Sequence, residues 1–208
     1  MITHEDTTDR AGQSLRILVA GGTGVIGSRV VRLLAAAGHV VAGTTRSEAR
    51  AALVEQAGGE PIVCDVYDAA GLTAAVTAFA PDVVVHQLTD LPDSADELPA
   101  RRAGNARIRV EGTRHLLDAA AAAGCRRILA QSVAWTMPPG PGADAVRYLE
   151  DAVLGVGGVV LRYGQLYGPG TFYSTTPPDH PRVHVDTAAE RTIELLEAPG
   201  GVVEVVEG

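Results

Sequence analysis

A chain of 208 residues with 46% hydrophobic and 20% charged side chains carries enough apolar surface for one core-forming domain and too much for wholesale disorder. The formal net charge of −8 and a pI near 5.2 weigh against a nucleic-acid or anionic-membrane surface. All 17 basic residues are Arg, which excludes Schiff-base lysine chemistry, a phosphate-loop lysine and any Tyr–Lys catalytic pair.

Residues 1–13 are polar, lack the basic start and apolar stretch of a secretory leader, and are expected to form a flexible tail ahead of a single domain over 14–208. A short aliphatic run over 15–20 has the pattern of a strand buried on both faces. Glycines follow, then helical apolar spacing over 25–37, closed by Gly38. Residues 40–45 read as a second strand, with Ser47 capping a second helix. A third strand over 61–64, an Ala-rich helix over 69–79 and a fourth strand over 82–86 come next. The Pro- and Asp-rich stretch 91–99 reads as a loop, and a long helix over 103–123 ends at Gly124. A fifth strand covers 127–131, a loop 137–142, a helix 143–154 and a sixth strand 158–161. The Gly-, Pro-, Ser- and Thr-rich segment 167–181 reads as a loop. It leads to a helix over 186–197, capped by Asp186, and a last strand over 202–206. Repeated βα units imply an α/β fold, a Rossmann-like doubly wound parallel sheet. No apolar stretch approaches the ~20 residues that span a membrane. Cys64 and Cys125 lie far apart and offer neither metal spacing nor a disulfide framework, which suits the cytoplasm.

Gly21-x-x-Gly24-x-x-Gly27 sits between the first strand and the first helix, the context in which such glycines let backbone approach a pyrophosphate. Thr23, Val25 and Ile26 complete the loop and the helix start, whose free N–H groups would face the phosphates. The end of the second strand offers Arg46 and Ser47 and no acid. A guanidinium there suits a 2′-phosphate, so NADP is expected, with NAD as the alternative. Asp65 is placed either to face the adenine edge or to cap a helix. Ser132 is the candidate for orienting a substrate oxygen, with a strand-end serine bonded to backbone as the bland alternative. His180 and His184 with Asp179 and Asp186 hint at a metal cluster, but Asp186 as a helix cap argues against it, and no metal is expected.

These residues resemble the extended short-chain dehydrogenase/reductase family, of the NAD-dependent epimerase/dehydratase type. Besides the glycine loop, the resemblance is carried by Cys64-Asp65-Val66, by Val83-Val84-Val85-His86-Gln87-Leu88, by Asn105 with Val110-Glu111-Gly112-Thr113 and by Gln131-Ser132. It continues through residues 161–170 (LRYGQLYGPG) and 183–189 (VHVDTAA), so that it covers nearly all of 15–207. It implies that Asp65, Val66, Leu88 and Asn105 contact the dinucleotide and that Ser132 occupies the family's catalytic serine position.

The resemblance fails at the proton donor. The family's Tyr and Lys, four residues apart, fall on Gly142 and Val146 when Glu150 is aligned with the family's glutamate, and Tyr148 points away from the cleft. Only twelve residues separate Gly170 from Val183, where the family carries much of its substrate lobe, so a much reduced C-terminal lobe is expected. The expected activity is an oxidoreductase or epimerase-like enzyme acting on a small molecule in biosynthetic metabolism. The rivals are a non-redox isomerase or cyclase, and a non-catalytic NADP-binding sensor or partner protein. The shortened lobe leaves an aliphatic cleft that a second copy of the chain, in a homo-oligomer, or the 167–181 loop would cover.

Overall fold

The computed structural model describes residues 14–92 and 94–208; the tail expected over 1–13 lies outside them. Seven strands, β1 (Arg16–Ala20), β2 (Val40–Thr45), β3 (Glu60–Val63), β4 (Val83–His86), β5 (Arg127–Val133), β6 (Val159–Tyr163) and β9 (Gly201–Val205), pair in parallel in the order β3-β2-β1-β4-β5-β6-β9. The order reverses between β1 and β4, which opens a crevice at the C-terminal ends of those strands. Two short strands, β7 (Gln165–Tyr167) and β8 (Arg182–His184), form a separate parallel pair.

Alternation along the strands feeds two cores. Ile17, Val19, Val85, Leu129 and Leu161 point to the face covered by helices α1 (Val25–Ala36) and α7 (Val185–Glu194), where Val30, Val31, Leu34 and Ala188 meet them. Leu18, Val84, Ile128, Ala130 and Val160 point to the face covered by α3 (Ala69–Phe79), α5 (Thr113–Ala122) and α6 (Pro141–Gly155), against Leu72, Val76, Leu116 and Leu149. Each fully buried Leu or Val contributes about 1.5–3 kcal/mol. A short helix α2 (Ala51–Gln56) packs Val54 into the first core.

Several boundaries depart from the sequence reading, each for a local reason. The stretch 91–99 is not all loop: a 3₁₀ turn over Ala95–Glu97 leads into α4 (Leu98–Arg107), and Pro99 is accommodated in the first turn, where its missing N–H is harmless. The long helix is interrupted by a π turn, Ile108–Gly112, between α4 and α5. Helix α7 is capped by His184, whose Nδ1 accepts from Asp186 N–H at 3.3 Å, rather than by Asp186, which bonds Arg29 Nε at 2.6 Å. Among the described residues, no three or more His, Cys, Asp and Glu side chains gather where they could hold a metal ion. Ser47 occupies the position before a 3₁₀ turn, Glu48–Arg50, without a side-chain capping bond. Strand β5 runs on to Val133 because Ser132 and Val133 pair with Arg162 and Tyr163 of β6.

Arg127, at the start of β5, ties the sheet to the end of α7. Its guanidinium donates to the carbonyls of Leu196 (2.6 Å) and Ala198 (2.5 Å) just beyond the helix, and at 3.5 Å to that of Leu195, which also accepts from Ala198 N–H. Arg127→Met should therefore cost about 1–3 kcal/mol in urea unfolding and speed amide exchange over 195–201. Unchanged exchange there would show that water satisfies those carbonyls equally well.

Candidate functional site

The glycine loop that the sequence singled out lies between the C-terminal end of β1 and the start of α1, at the crevice between β1 and β4. Gly21 turns the chain at φ +85°, and its N–H donates to Thr44 Oγ1 at 3.0 Å. A Cβ on Gly27 would overlap the Gly21 carbonyl oxygen, so α1 can begin this close to β1 only with glycine there. Gly24 differs from both. A Cβ on it would stand 3.3 Å from Gly21 O, a tight contact but far milder than the overlap at Gly27. Ser28 N–H makes the first bond back into the helix, to Gly24 O, leaving the N–H groups of Val25, Ile26 and Gly27 ahead of it. The Ile26 side chain is buried in the core, so only its backbone can serve a ligand. Thr23 is held from outside: its carbonyl accepts from Arg50 Nη2 at 2.8 Å. A bare cradle of backbone donors at a helix start fits a dinucleotide pyrophosphate.

Arg46 stands at the end of β2 with half its side chain in solvent, and its Nη2 reaches Asp90 Oδ1 at 3.3 Å. Asp90 N–H in turn donates to Asn105 Oδ1 at 3.2 Å, so Asn105 fixes the segment after β4. Asp65 accepts from Tyr67 N–H in a local turn, while Asp68 provides the cap of α3 through Gly71 N–H. Asp65 is therefore not the helix cap. Val66 is buried, and its carbonyl accepts from His115 Nδ1 at 2.9 Å. Tyr67 carries the Arg107 guanidinium on its ring, 4.0 Å from the centroid. Ser47 N–H bonds Thr45 Oγ1.

Beneath this crevice the strand ends hold polar groups whose protons are committed. Leu88 N–H donates to His86 Nδ1, so the proton of the neutral ring lies on Nε2 and goes to Thr113 Oγ1 at 2.9 Å. Burial, and then the charge of Arg109, push the His86 pKa down to about 4. Gln87 Nε2 donates to the Tyr163 hydroxyl. That hydroxyl donates to Thr192 Oγ1 at 2.6 Å, because Thr192 gives its own proton to the Ala188 carbonyl. Burial pushes the Tyr163 pKa up to about 12.

Ser132 is placed differently from the sequence expectation. It is 4% exposed, lies on the α6 face with Ile128 and Ala130, and donates to Glu150 Oε1 at 2.5 Å. Arg162 clamps the same carboxylate, Nε to Oε1 at 2.9 Å and Nη2 to Oε2 at 2.5 Å. Burial raises the Glu150 pKa, but the bonds from Arg162 and Ser132 outweigh it and hold the carboxyl below its usual range. The Ser132 proton is thus spent inside the protein, so the serine does not orient a substrate oxygen by donating to it. Neither the expected backbone bond nor an available hydroxyl is found.

The family model for the NAD dependent epimerase/dehydratase family matches residues 17–150. The chain belongs to that family. A 3-diazoavenalumate denitrifying reductase from a Streptomyces species is 42% identical over 183 residues, which is 77% of this chain and 59% of that protein. Cinnamoyl-CoA reductase 1 of Oryza sativa subsp. japonica is 34% identical over 151 residues, 68% of this chain and 42% of that protein. The chain thus spans well under two thirds of the length of these curated relatives. Among solved structures, the UDP-glucose 4-epimerase of Thermus thermophilus in complex with NAD superposes with a TM-score of 0.75 at 24% identity, over 93% of this chain and 78% of that one. The UDP-Glc/GlcNAc 4-epimerase of Campylobacter jejuni gives 0.78 at 16%, over 94% and 79%. At those identities the likeness shows the fold.

The roles of Arg50 and Thr44 and the pairing of Glu150 with Arg162 escaped the sequence reading, whereas Arg109 stands there in the Arg101-Arg102 and Arg107-Arg109 basic cluster, read first as a solvated helix face and second as a contact to substrate or cofactor phosphate. Gly24→Val should abolish dinucleotide binding while leaving the circular dichroism spectrum unchanged, since its Cβ asks only a small shift of the Gly21 carbonyl and its branches fill the cradle. An unchanged NADPH titration would move the phosphate site elsewhere. A second outcome concerns pH. The folded His86 pKa near 4 lies below the unfolded value of about 6.5, so the unfolded chain takes up a proton that the fold refuses. Stability should fall between about pH 6.5 and 4, by up to about 1.4 kcal/mol per pH unit from this group, and His86→Asn should flatten that slope in urea titrations.

Proposed function

We propose that this chain is an NADP(H)-binding reductase of a small molecule in biosynthetic metabolism whose acceptor takes a hydride without help from a protein acid. The observation that carries the reading is the absence, among the described residues, of an activated phenol or ammonium at the sheet mouth. The α6 positions where the family places its Tyr and Lys are Gly142 and Val146, and the chain contains no lysine. Tyr163 is sealed with its proton given to Thr192, and Tyr148 lies exposed on α6. A carbonyl substrate needs a proton on its oxygen as hydride arrives at carbon. An arenediazonium does not: hydride on its terminal nitrogen gives an aryldiazene. That species loses N₂ as its N–H hydrogen passes to the ring carbon, so no outside proton is used. The similarity to a denitrifying reductase supports this acceptor class over a carbonyl.

The dinucleotide, when bound, supplies the hydride. The chain's residues account for its hold. The N–H groups ahead of Ser28 face the pyrophosphate, and Asn105 fixes the segment after β4 that closes the crevice. Arg46, with Arg50 one helical turn on, offers guanidinium groups where a 2′-phosphate would lie, and no carboxylate lies in β2 or its exit to receive a 2′-hydroxyl. On this reading the phosphate displaces Asp90 from Arg46.

Benzenediazonium with NADPH should give benzene and N₂ in equal amounts with NADPH consumed, above the rate without protein. A deuteride carried on the nicotinamide should appear on the ring. Tight NADPH binding with no added consumption would end the reductase reading in favour of a non-catalytic binding protein. Arg46→Ala should weaken NADPH by roughly ten- to a hundredfold, the worth of a charge-assisted contact, and leave NADH nearly unchanged. Equal losses for both cofactors would show that Arg46 does not meet the 2′-phosphate.

A further inference from the structure

Arg109 is a buried guanidinium to which the described residues give no direct partner. It is 7% exposed, and among the described residues no hydrogen bond or ion pair ends on it. The one sealed side-chain polar atom without a partner among those residues is Gln87 Oε1, so the Arg109 nitrogens are not sealed and border open space. Ile108, Arg109 and Gly112 are the buried residues of the π turn, on the side that continues through Thr113 and Leu116 of α5.

The turn runs into Thr113, which bonds His86 at the end of β4 at 2.9 Å, and it packs against α6, so Arg109 belongs to the junction of that strand end and that helix, and its charge helps to push the His86 pKa down. Glu150 is not free to answer it: Oε1 is taken by Ser132 and Arg162, and Oε2 by Arg162. Two guanidinium groups thus share one carboxylate beneath the sheet mouth, within a chain of net charge −8. A buried cation stripped of water is costly unless an anion takes the water's place.

We propose that Arg109 is the receptor for a carboxylate of the substrate, held at the mouth of β4 and β5 beside the dinucleotide crevice. The planar fork of the guanidinium binds a carboxylate through two parallel hydrogen bonds and so orients the rest of the molecule. The inference rests on the proposed cleft as a small-molecule site, but binding of the anion requires no hydride transfer.

The test uses binding. Trp135, the single tryptophan, lies half-exposed just beyond β5, and its fluorescence reports occupancy of the mouth. The probes are trans-cinnamate and its neutral isostere cinnamamide, added to protein saturated with NADP⁺. The wild type should prefer cinnamate by roughly ten- to a hundredfold. Arg109→Gln and Arg109→Met should bind the two probes equally with NADP⁺ affinity intact, and Arg109→Lys should keep part of the preference. Arg109→Met should also hold or raise Tm, because it removes an uncompensated charge from the interior. Equal binding of both probes by the wild type, or an undiminished preference in Arg109→Gln, overturns the assignment. A Tm that falls in both neutral variants does so too, since it marks an arginine kept for structure. Cinnamate preference without turnover of benzenediazonium would defeat the reductase reading and leave the anion site standing.

Discussion

Helix α1 leaves strand β1 at a distance that side chains would forbid. A Cβ on Gly27 would overlap the Gly21 carbonyl oxygen, and one on Gly22 would stand 2.7 Å from Gly43 Cα in the neighbouring strand. These backbone contacts set where α1 starts, and its start sets where unpaired N–H groups gather. The reversal of strand order between β1 and β4 then leaves that point open. The ends of β2, β3 and β4 supply the remaining lining because parallel strands all finish on the same edge. Arg46, Asp65, Leu88 and, through Asp90, Asn105 are collected there by topology.

The opposite condition holds just below. The polar groups at the ends of β4, β5 and β6 are tied to partners on helices: His86 to Thr113, Tyr163 to Thr192, and Ser132 to Glu150. Each such bond repays the burial of its donor and stiffens the junction between sheet and helix. The same bonds remove those groups from acid–base work. A hydroxyl whose proton is held by a buried carboxylate, and a phenol pushed toward pKa 12, cannot protonate a substrate near neutral pH. On the proposed reading, the chemistry left to this cleft relies on binding and orientation by fixed charges, and Arg109, which has no direct partner among the described residues, is the group that would supply them.

The reduced lobe belongs to the same picture. Twelve residues between Gly170 and Val183 suffice for the β7–β8 pair and a loop in which Tyr173 bridges back to Tyr167. Tyr167 gives its hydroxyl to Glu207 at 2.5 Å, and Arg182 reaches the same carboxylate at 3.4 Å, so the lobe is anchored to the end of the chain. Trp135, Phe172 and Tyr173 remain about two-fifths exposed.

What the sequence alone determined was whatever depends on neighbours along the chain. Aliphatic runs separated by helical spacing specified the order of strands and helices. The glycine spacing specified the phosphate turn, and the missing lysine excluded the family's usual acid. Boundaries slipped where a single residue has two local uses, as with Pro99, which opens a helix as readily as it ends one, or Asp186, where His184 took the cap. Tertiary structure alone decided which charges meet. Ser132 and Glu150 are eighteen residues apart, and Arg29 and Asp186 one hundred and fifty-seven. Periodicity fixes a side chain's face on its own element, but its partner is chosen by how the elements pack. Hence Ser132 read as a group at the mouth of the sheet, although the extension of β5 along β6 puts it under α6.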